Sequence, residues 1–533
     1  MLAIIGTMSG GDLSTARDAI DELASLVASG THLDFSERWP ETLAIWGAAS
    51  HTETRDAIRE MAFQILENQV RKGLPSGYKP WDRHIRAMAS RVHYFDLFDR
   101  DPALRKASDS RIGGESPLAN WVYASRETTR SRGQGFPRAR WELLSRWSVE
   151  NFASHDDDYL FYRIPLRGNF EVECDVNAFG WRETNLWVAG HWVGPVYTLD
   201  AYDIGDFRDG RRRTIDPPLY RPDESIHQRT VVRDGVCTTY FNGRKIEERT
   251  LAADHDPWAA IRSPYSTDGA AHNVRITGNP EIPREVKLTA TTDLPGWLPI
   301  NNGHRVGRNR KWQQLGDLAS GGGILGIRFD DFPDSNQETL LRYHRPMVED
   351  GTIEYSFFYR EGEILVHPAL DRLTFMLQPD GVRVHWITDG KYDRTDLAPD
   401  NLFEEPENRR GGEALPLKPN AWNKLRLSLT GDIVDLTLND QLIYQRKLEP
   451  TNQRTFGLFH YADQTEVRVR NIVWRRDWPR ALPSIAEQEL AGENTDFLDE
   501  SLKELPARFH HDFAKYGLPP KRFRVLVGEL DDF

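Results

Sequence analysis

Residues 422–448 read WNKLRLSLTGDIVDLTLNDQLIYQRKL: strand, tight turn, strand, polar hairpin, strand. Leu425, Leu427 and Leu429 alternate with Arg426 and Ser428, and Val434, Leu436 and Leu438 alternate with Asp435 and Thr437. A period of two marks strands with one buried face. Residues 227–251, HQRTVVRDGVCTTYFNGRKIEERTL, repeat this order, with Asn242-Gly243 standing where Asn439-Asp440 stands. Such pairs suit a two-residue hairpin because both central residues take positive φ at low cost. Upstream, LFYRIPLRGNFEVECDV (160–176) matches LRYHRPMVEDGTIEYSFF (341–358), Tyr162 and Pro165 answering Tyr343 and Pro346. Each copy closes on a short basic strand, HNVRITG (272–278) and EVRVRNIVW (466–474). Matches of this length in the same order predict two antiparallel β-sandwich modules built on one repeated pattern.

Working outward, the first module is placed at 147–283 and the second at 318–480, with a linker at 284–317. The fold class is mainly β, carried behind a helical region at 1–100. There Ala19, Ile20, Leu23, Leu26 and Val27 recur at helical spacing after a cap at Asp12 or Ser14, and further helices are expected at 52–71 and 81–98. Periodicity fades over 101–146, which reads as linker and loops, and 481–533 reads as a helical tail ending in a short strand.

A chain of 533 residues is too long for one core. Its net charge of −13 argues against a nucleic-acid partner, which draws on clustered Lys and Arg. The arginine-rich run from Arg126 to Arg146 reads as a solvated linker face. No stretch approaches the ~20 apolar residues of a membrane-spanning helix. Cys174 and Cys237 both fall at inward positions of strands, as two buried thiols or one inter-strand disulfide. The N-terminus has no basic n-region or long apolar stretch, so no signal peptide is read. The chain is cytoplasmic or a piece of a longer exported precursor, and its compartment and oligomeric state stay open.

The second module is rich in polar side chains with chemistry: His344, Arg345, His367, Asp371, Arg372, His385, Asp389, Tyr392, Asp393, Arg394, His460 and Tyr461. Gathered on one sheet face, imidazoles, carboxylates and aromatic rings suit a sugar, which stacks its C–H faces on rings and offers hydroxyls to forked polar groups. The same residues also read as turn ion pairs and core histidines. Asp389, Asp393 and Asp396, with Asp400, form an acidic run that could hold Ca²⁺, though its spacing is not that of an EF-hand. The run at 155–159, HDDDY, is a weaker case of the same kind. Trp181, Trp187 and Trp192 of the first module are either a stacking platform or packing. No zinc motif, nucleophile elbow or phosphate loop is present, and no catalytic residue is assigned.

The strand order, the Asn-Gly and Asn-Asp hairpins and the closing VRNI strand resemble the concanavalin A-like jelly-roll superfamily, with its laminin-G-like modules and 3-keto-disaccharide hydrolase domains. More specifically, LLRYHRPMVEDGTIEYSFFY, LVHPALDRL, VRVHWITDGKYDRTDLAPDN and LEPTNQRTFGLFHYADQTEVRVRNIVWRRDWP resemble a bacterial family of unknown function, over about 285–483 and more loosely over 140–283. The superfamily resemblance implies fold before function. Three functions follow as expectations: a carbohydrate- or surface-binding protein without catalysis, a carbohydrate-active hydrolase or lyase with its site in the second module, or an interaction scaffold.

Overall fold

The computed structural model describes residues 13–29, 48, 51–58, 60, 118–125, 140–145, 148–152, 158–177, 184–196, 199–207, 210–219, 225–264, 269–289, 294, 296–301, 304–305, 312–315, 323–328, 338–362, 364–388, 397–450 and 452–491. Leu13–Ser29 is helical and buries Ala16 and Ile20, and 52–58 are helical too. The helix expected at 81–98 lies outside the described residues.

The first sandwich has two seven-stranded antiparallel sheets. Sheet I runs Trp121–Ser125, Asp158–Tyr162, Ala259–Ser263, Asn185–Val188, His191–Pro195, Ala201–Gly205 and Gly210–Thr214. Sheet II runs Arg244–Thr250, Val236–Phe241, Ser225–Arg233, Arg167–Asn177, Ala270–Glu281, Ser148–Phe152 and Arg140–Ser145. In the second sandwich, sheet III runs Gln441–Lys447, Ile433–Leu438, Ala421–Thr430, Gly351–Tyr359, Val467–Arg475, Gly323–Gly326 and Trp312–Leu315, with Glu285–Lys287 also on Val467–Arg475. Sheet IV runs His304–Arg305, Trp297–Asn301, Glu338–Tyr343, Phe456–Tyr461, His367–Leu370, Leu373–Gln378 and Gly381–Trp386.

Strand for strand, sheet III follows the order of sheet II. The correspondence extends to irregularities. Each sheet has a register shift at the matching place of its last hairpin, between Thr239 and Tyr240 and between Leu436 and Thr437. Each closing strand carries one asparagine in the left-handed region, Asn273 at φ 52° and Asn471 at φ 55°, where the ladder shifts again. The hairpins behave as their residues require. Asn242 and Gly243 have φ 48° and 79°, Asn439 and Asp440 φ 46° and 66°. Each asparagine also accepts a backbone N–H through its side chain, from His227 at 2.9 Å and from Lys424 at 3.1 Å.

The alternating residues face the cores as read. Leu425, Leu427 and Leu429 pair with Leu438, Leu436 and Val434 and are buried. Phe170, Val172, Cys174 and Val176 are buried in the first core. Cys174 and Cys237 are buried free thiols, and no disulfide joins them. The strand Ser225–Arg233 lies between theirs, and two inter-strand steps of ~4.8 Å exceed the reach of a disulfide.

Two stretches read as linker contribute strands. Within 101–146, Trp121–Ser125 and Arg140–Ser145 form sheet edges, with Trp121 and Trp141 in the core. Within 284–317, four strands join sheets III and IV, with Trp297 and Trp312 buried. These are short strands, four of them anchored by a single tryptophan each, too brief for an alternation to show. In the tail, the described part holds only the 3-10 turn Ile485–Glu487, and Gln488 beyond it bonds both backbone groups of Ile276 at 2.7 and 2.8 Å. The remainder lies outside the described residues.

Candidate functional site

Sheet IV turns one face to the core and the other outward. His367 stands opposite Phe459, His385 opposite Thr374, and Glu338 opposite Tyr461, all on the outward face. The His385 ring lies 5.0 Å from Phe459 and 5.9 Å from Tyr461. Both of its nitrogens are engaged: Nε2 lies 2.8 Å from Glu338 Oε1 and Nδ1 2.7 Å from the Asn401 carbonyl oxygen. Glu338 also accepts from the Thr388 backbone at 3.0 Å and hydroxyl at 2.5 Å. These bonds tie the end of strand Gly381–Trp386 to Glu338 and occupy the groups that proton transfer would need. His367 Nδ1 accepts from the Leu377 N–H at 3.0 Å, so its ring proton sits on Nε2. Burial, with His385 and His460 nearby, drives its pKa down to about 3. The Thr374 hydroxyl beside them is buried with no partner among the described residues.

The other expected site residues separate from this face. His460 points between the sheets, edge-on to Trp312 at 4.9 Å, and burial lowers its pKa to about 3. Asp371 and Arg372 form a hairpin turn: Asp371 has φ 56° and accepts from the Gln453 N–H at 3.3 Å, and Arg372 donates to the Ile387 carbonyl at 2.8 Å. The Tyr461 hydroxyl donates to the Pro399 carbonyl at 3.0 Å. His344 and Arg345 follow the far end of strand Glu338–Tyr343, roughly 17 Å from Glu338 at ~3.3 Å per residue. There His344 packs edge-on against Phe207 at 4.5 Å and Tyr159 at 4.9 Å of the first sandwich. The expected cluster is therefore not one pocket, because strand length spreads its members. Asp389, Tyr392, Asp393, Arg394 and Asp396 lie outside the described residues, as does Trp181. Among the described residues no group of His, Cys, Asp and Glu could hold a metal ion. Trp187 and Trp192 are packing: one stacks on Phe207 at 4.3 Å, and the Arg262 guanidinium lies 4.0 Å over the other.

Two constellations escaped the sequence reading. The first is at the junction of the sandwiches, where Asp256 accepts from the Tyr343 hydroxyl at 2.8 Å and from Trp187 Nε1 at 3.5 Å. Trp258 Nε1 donates to the same Tyr343 oxygen at 2.7 Å. Burial raises the Asp256 carboxyl to about 7 against the lowering effect of those bonds. Only the repeat position of Tyr343 could have signalled this partner, and nothing in HDPW marks Asp256.

The second lies on the outward face of sheet III. Phe358 and Trp422 are register partners with rings 5.7 Å apart at 80°, and the Arg470 guanidinium lies 4.0 Å over Trp422. All three are half-buried. Ser356, Lys424 and Arg426 continue the same face. Glu354 anchors it, held by Arg426 and Arg475 at 2.6 Å and Lys424 at 3.0 Å; these cations bring its pKa down to about 2 against the opposing effect of burial. Its signal was present in the outward positions of the alternation, where Phe358 and Trp422 stand.

A family described as a domain of unknown function (DUF1583_N) matches residues 332–481, and one described as a protein of unknown function (DUF1581) matches 229–312. No curated protein matches. Among solved structures, carbohydrate binding module CBM66 from Bacillus subtilis is 13% identical, over 30% of this chain and 97% of its own, with a TM-score of 0.22. Domains LG4-5 of the mouse laminin alpha1 chain are 10% identical over 65% of this chain and 93% of their own, at 0.19. An alginate lyase from Corynebacterium sp. is 11% identical over 34% and 92%, also at 0.19. Likenesses at that level carry no argument about function. DUF1583_N thus spans most of the second sandwich, and DUF1581 spans the later strands of the first sandwich and the passage into the second.

Proposed function

We propose that the chain is a glycan-binding β-sandwich protein without catalysis, with its binding surface on the outward face of sheet III. The observation that carries this is the half-exposed set Phe358, Trp422 and Arg470 beside Ser356, Lys424 and Arg426. Rings supply a stacking surface, and the hydroxyl and guanidinium groups around them supply hydrogen bonds in fixed directions. The absence of catalysis is supported by sheet IV, whose His385 and Glu338 are committed to each other and to backbone. A glycan microarray on the wild type, Trp422→Ala and Phe358→Ala tests it. Trp422→Ala should weaken retention of a bound glycan about tenfold, the equivalent of ~1.4 kcal/mol. Equal binding by wild type and Trp422→Ala would refute this surface, and no binding by the wild type would favour the scaffold reading. The hydrolase or lyase reading is favoured by one observation, Asp256 beside Tyr343, since a carboxyl raised to about 7 suits a general acid. Turnover lost in Asp256→Asn but kept in Trp422→Ala would support that second reading.

A further inference from the structure

Strands Asp158–Tyr162 and Glu338–Tyr343 lead into the matching segments YRIP (162–165) and YHRP (343–346), and these meet where the sandwiches join. Arg345 Nη2 donates to the Arg163 carbonyl at 3.3 Å. The Arg345 guanidinium is buried against Trp258 and Trp474, 4.7 and 5.4 Å from their ring centres. Glu349 fills its fork, at 2.7 Å from Nη2 and 3.1 Å from Nη1. Arg476 takes the same carboxylate at 3.2 Å. Glu349 is then committed to two arginines, and Arg163 is the third. Its Nε is buried with no acceptor, and no carboxylate pairs with its guanidinium among the described residues. Glu489, also within electrostatic reach of Arg163, spends its oxygens on the backbone N–H groups of Ala119 and Asn120 at 2.7 and 2.9 Å. Asp350 and Asp477 lie on the Arg476 side. Burial first, and the charges of Arg345 and Arg476 second, press on the Arg163 cation, lowering its pKa against the pull of Glu349 and Glu489. Arg163 and Arg476 are both partly exposed, so the cluster opens to solvent.

We propose that Arg163, Arg345 and Arg476 form an oxyanion-binding site at the junction of the two sandwiches, taking a carboxylate, sulfate or phosphate group on Arg163 and Arg476. A planar guanidinium fork matches such groups bidentately, and a buried donor with no acceptor gains most from one. The site goes beyond the glycan surface of sheet III and does not depend on it. Because each sandwich supplies an arginine, occupancy would also brace the joint.

The test is the thermal midpoint of the full chain in rising sodium sulfate, against sodium chloride at matched ionic strength. The wild type should rise saturably in sulfate. Arg163→Met should melt no lower than the wild type without sulfate, since it removes a half-buried cation that no carboxylate pairs, and should lose the saturable rise. Sulfate also favours compact states by exclusion from protein surfaces, so an equal rise in Arg163→Met overturns the proposal. If Arg163→Met fails to fold, Arg163→Lys keeps the charge and loses the fork. Its half-saturating sulfate should move up about tenfold, and no movement overturns the site. Parallel titrations with sodium glucuronate, sodium phosphate and glucose separate the sources. A rise with glucuronate alone identifies an acidic sugar, and a rise with phosphate as well identifies oxyanions in general. Glucose acting as well as glucuronate overturns the proposal.

Discussion

Replacing Asp256 by asparagine isolates the effect of one buried carboxyl. Asp256 is 8% exposed, and burial brings its pKa to about 7 from 3.8. The folded chain therefore holds a proton there between about pH 4 and 7 that the unfolded chain has released. A raised folded-state pKa makes the stabilising contribution complete below the unfolded value and lost as pH rises through the folded one. A difference of about three units at 1.36 kcal/mol each sets the loss at about 4 kcal/mol above pH 7. Asparagine is nearly isosteric and carries no charge. Its oxygen can accept from the Tyr343 hydroxyl, which leaves its amide facing Trp187 Nε1, donor to donor, where the wild type has a long contact of 3.5 Å. That mismatch costs on the order of 1 kcal/mol. The variant should therefore be more stable than the wild type by about 3 kcal/mol at pH 8, roughly level with it at pH 5, and ~1 kcal/mol weaker only below about pH 4. Urea unfolding followed by tryptophan fluorescence at several pH values reads the difference between variant and wild type, which cancels every other titrating group. A difference that stays constant from pH 5 to 8 would refute the reasoning.

Two further substitutions probe the second sandwich. Leu436 is fully buried opposite Leu427 and Tyr444, so Leu436→Ala should cost about 2–5 kcal/mol by the same unfolding assay; a loss below ~0.5 kcal/mol would remove it from the core. His367, with its pKa lowered to about 3 from 6.5, stabilises the fold above pH 6.5 and loses that contribution as pH falls. Asn can place its oxygen where Nδ1 accepts the Leu377 N–H, so His367→Asn should gain on the wild type by up to ~1.36 kcal/mol per pH unit below 6.5. Parallel acid profiles for the two proteins would sink that assignment.

The cores were legible because burial imposes period two on every long strand. The faces Leu425–Leu429 and Val434–Leu438 follow from alternation alone, and the Asn-led hairpins follow from the backbone they require. The edges were not legible. Trp297–Asn301 and Trp312–Leu315 join sheets through one tryptophan each, and a five-residue strand within a Gly- and Arg-rich stretch leaves no periodic trace. The candidate residues were legible one by one, but not which of them would meet. HRP, HPALDR and VHW all contain suggestive residues, yet the length of strand Glu338–Tyr343 carries His344 and Arg345 to the junction while His367 and His385 stay on the outward face of sheet IV.

The reason reaches beyond these residues. A row of register partners crosses sheet I at Phe161, Ala260, Trp187, Trp192 and Gly205. The matching row of sheet IV is Arg342, Gly457, Ala369, Thr374 and His385. Inward neighbours of both rows are mostly apolar, His191 being an exception, while the rows themselves share almost nothing. Sheet I meets the other sandwich where His344 packs on Tyr159, Phe161 and Phe207, and the same face is filled by Trp187 against Phe207 and Trp192 against Arg262. Part of sheet IV is closed by its own chain through Pro399 and Asn401, whose carbonyls need donors, which Tyr461 and His385 supply. A polar or aromatic residue at an outward position therefore says that something covers the face, without saying what. Alternation reports which residues leave water on one side of a sheet; the identity of the cover is a long-range fact.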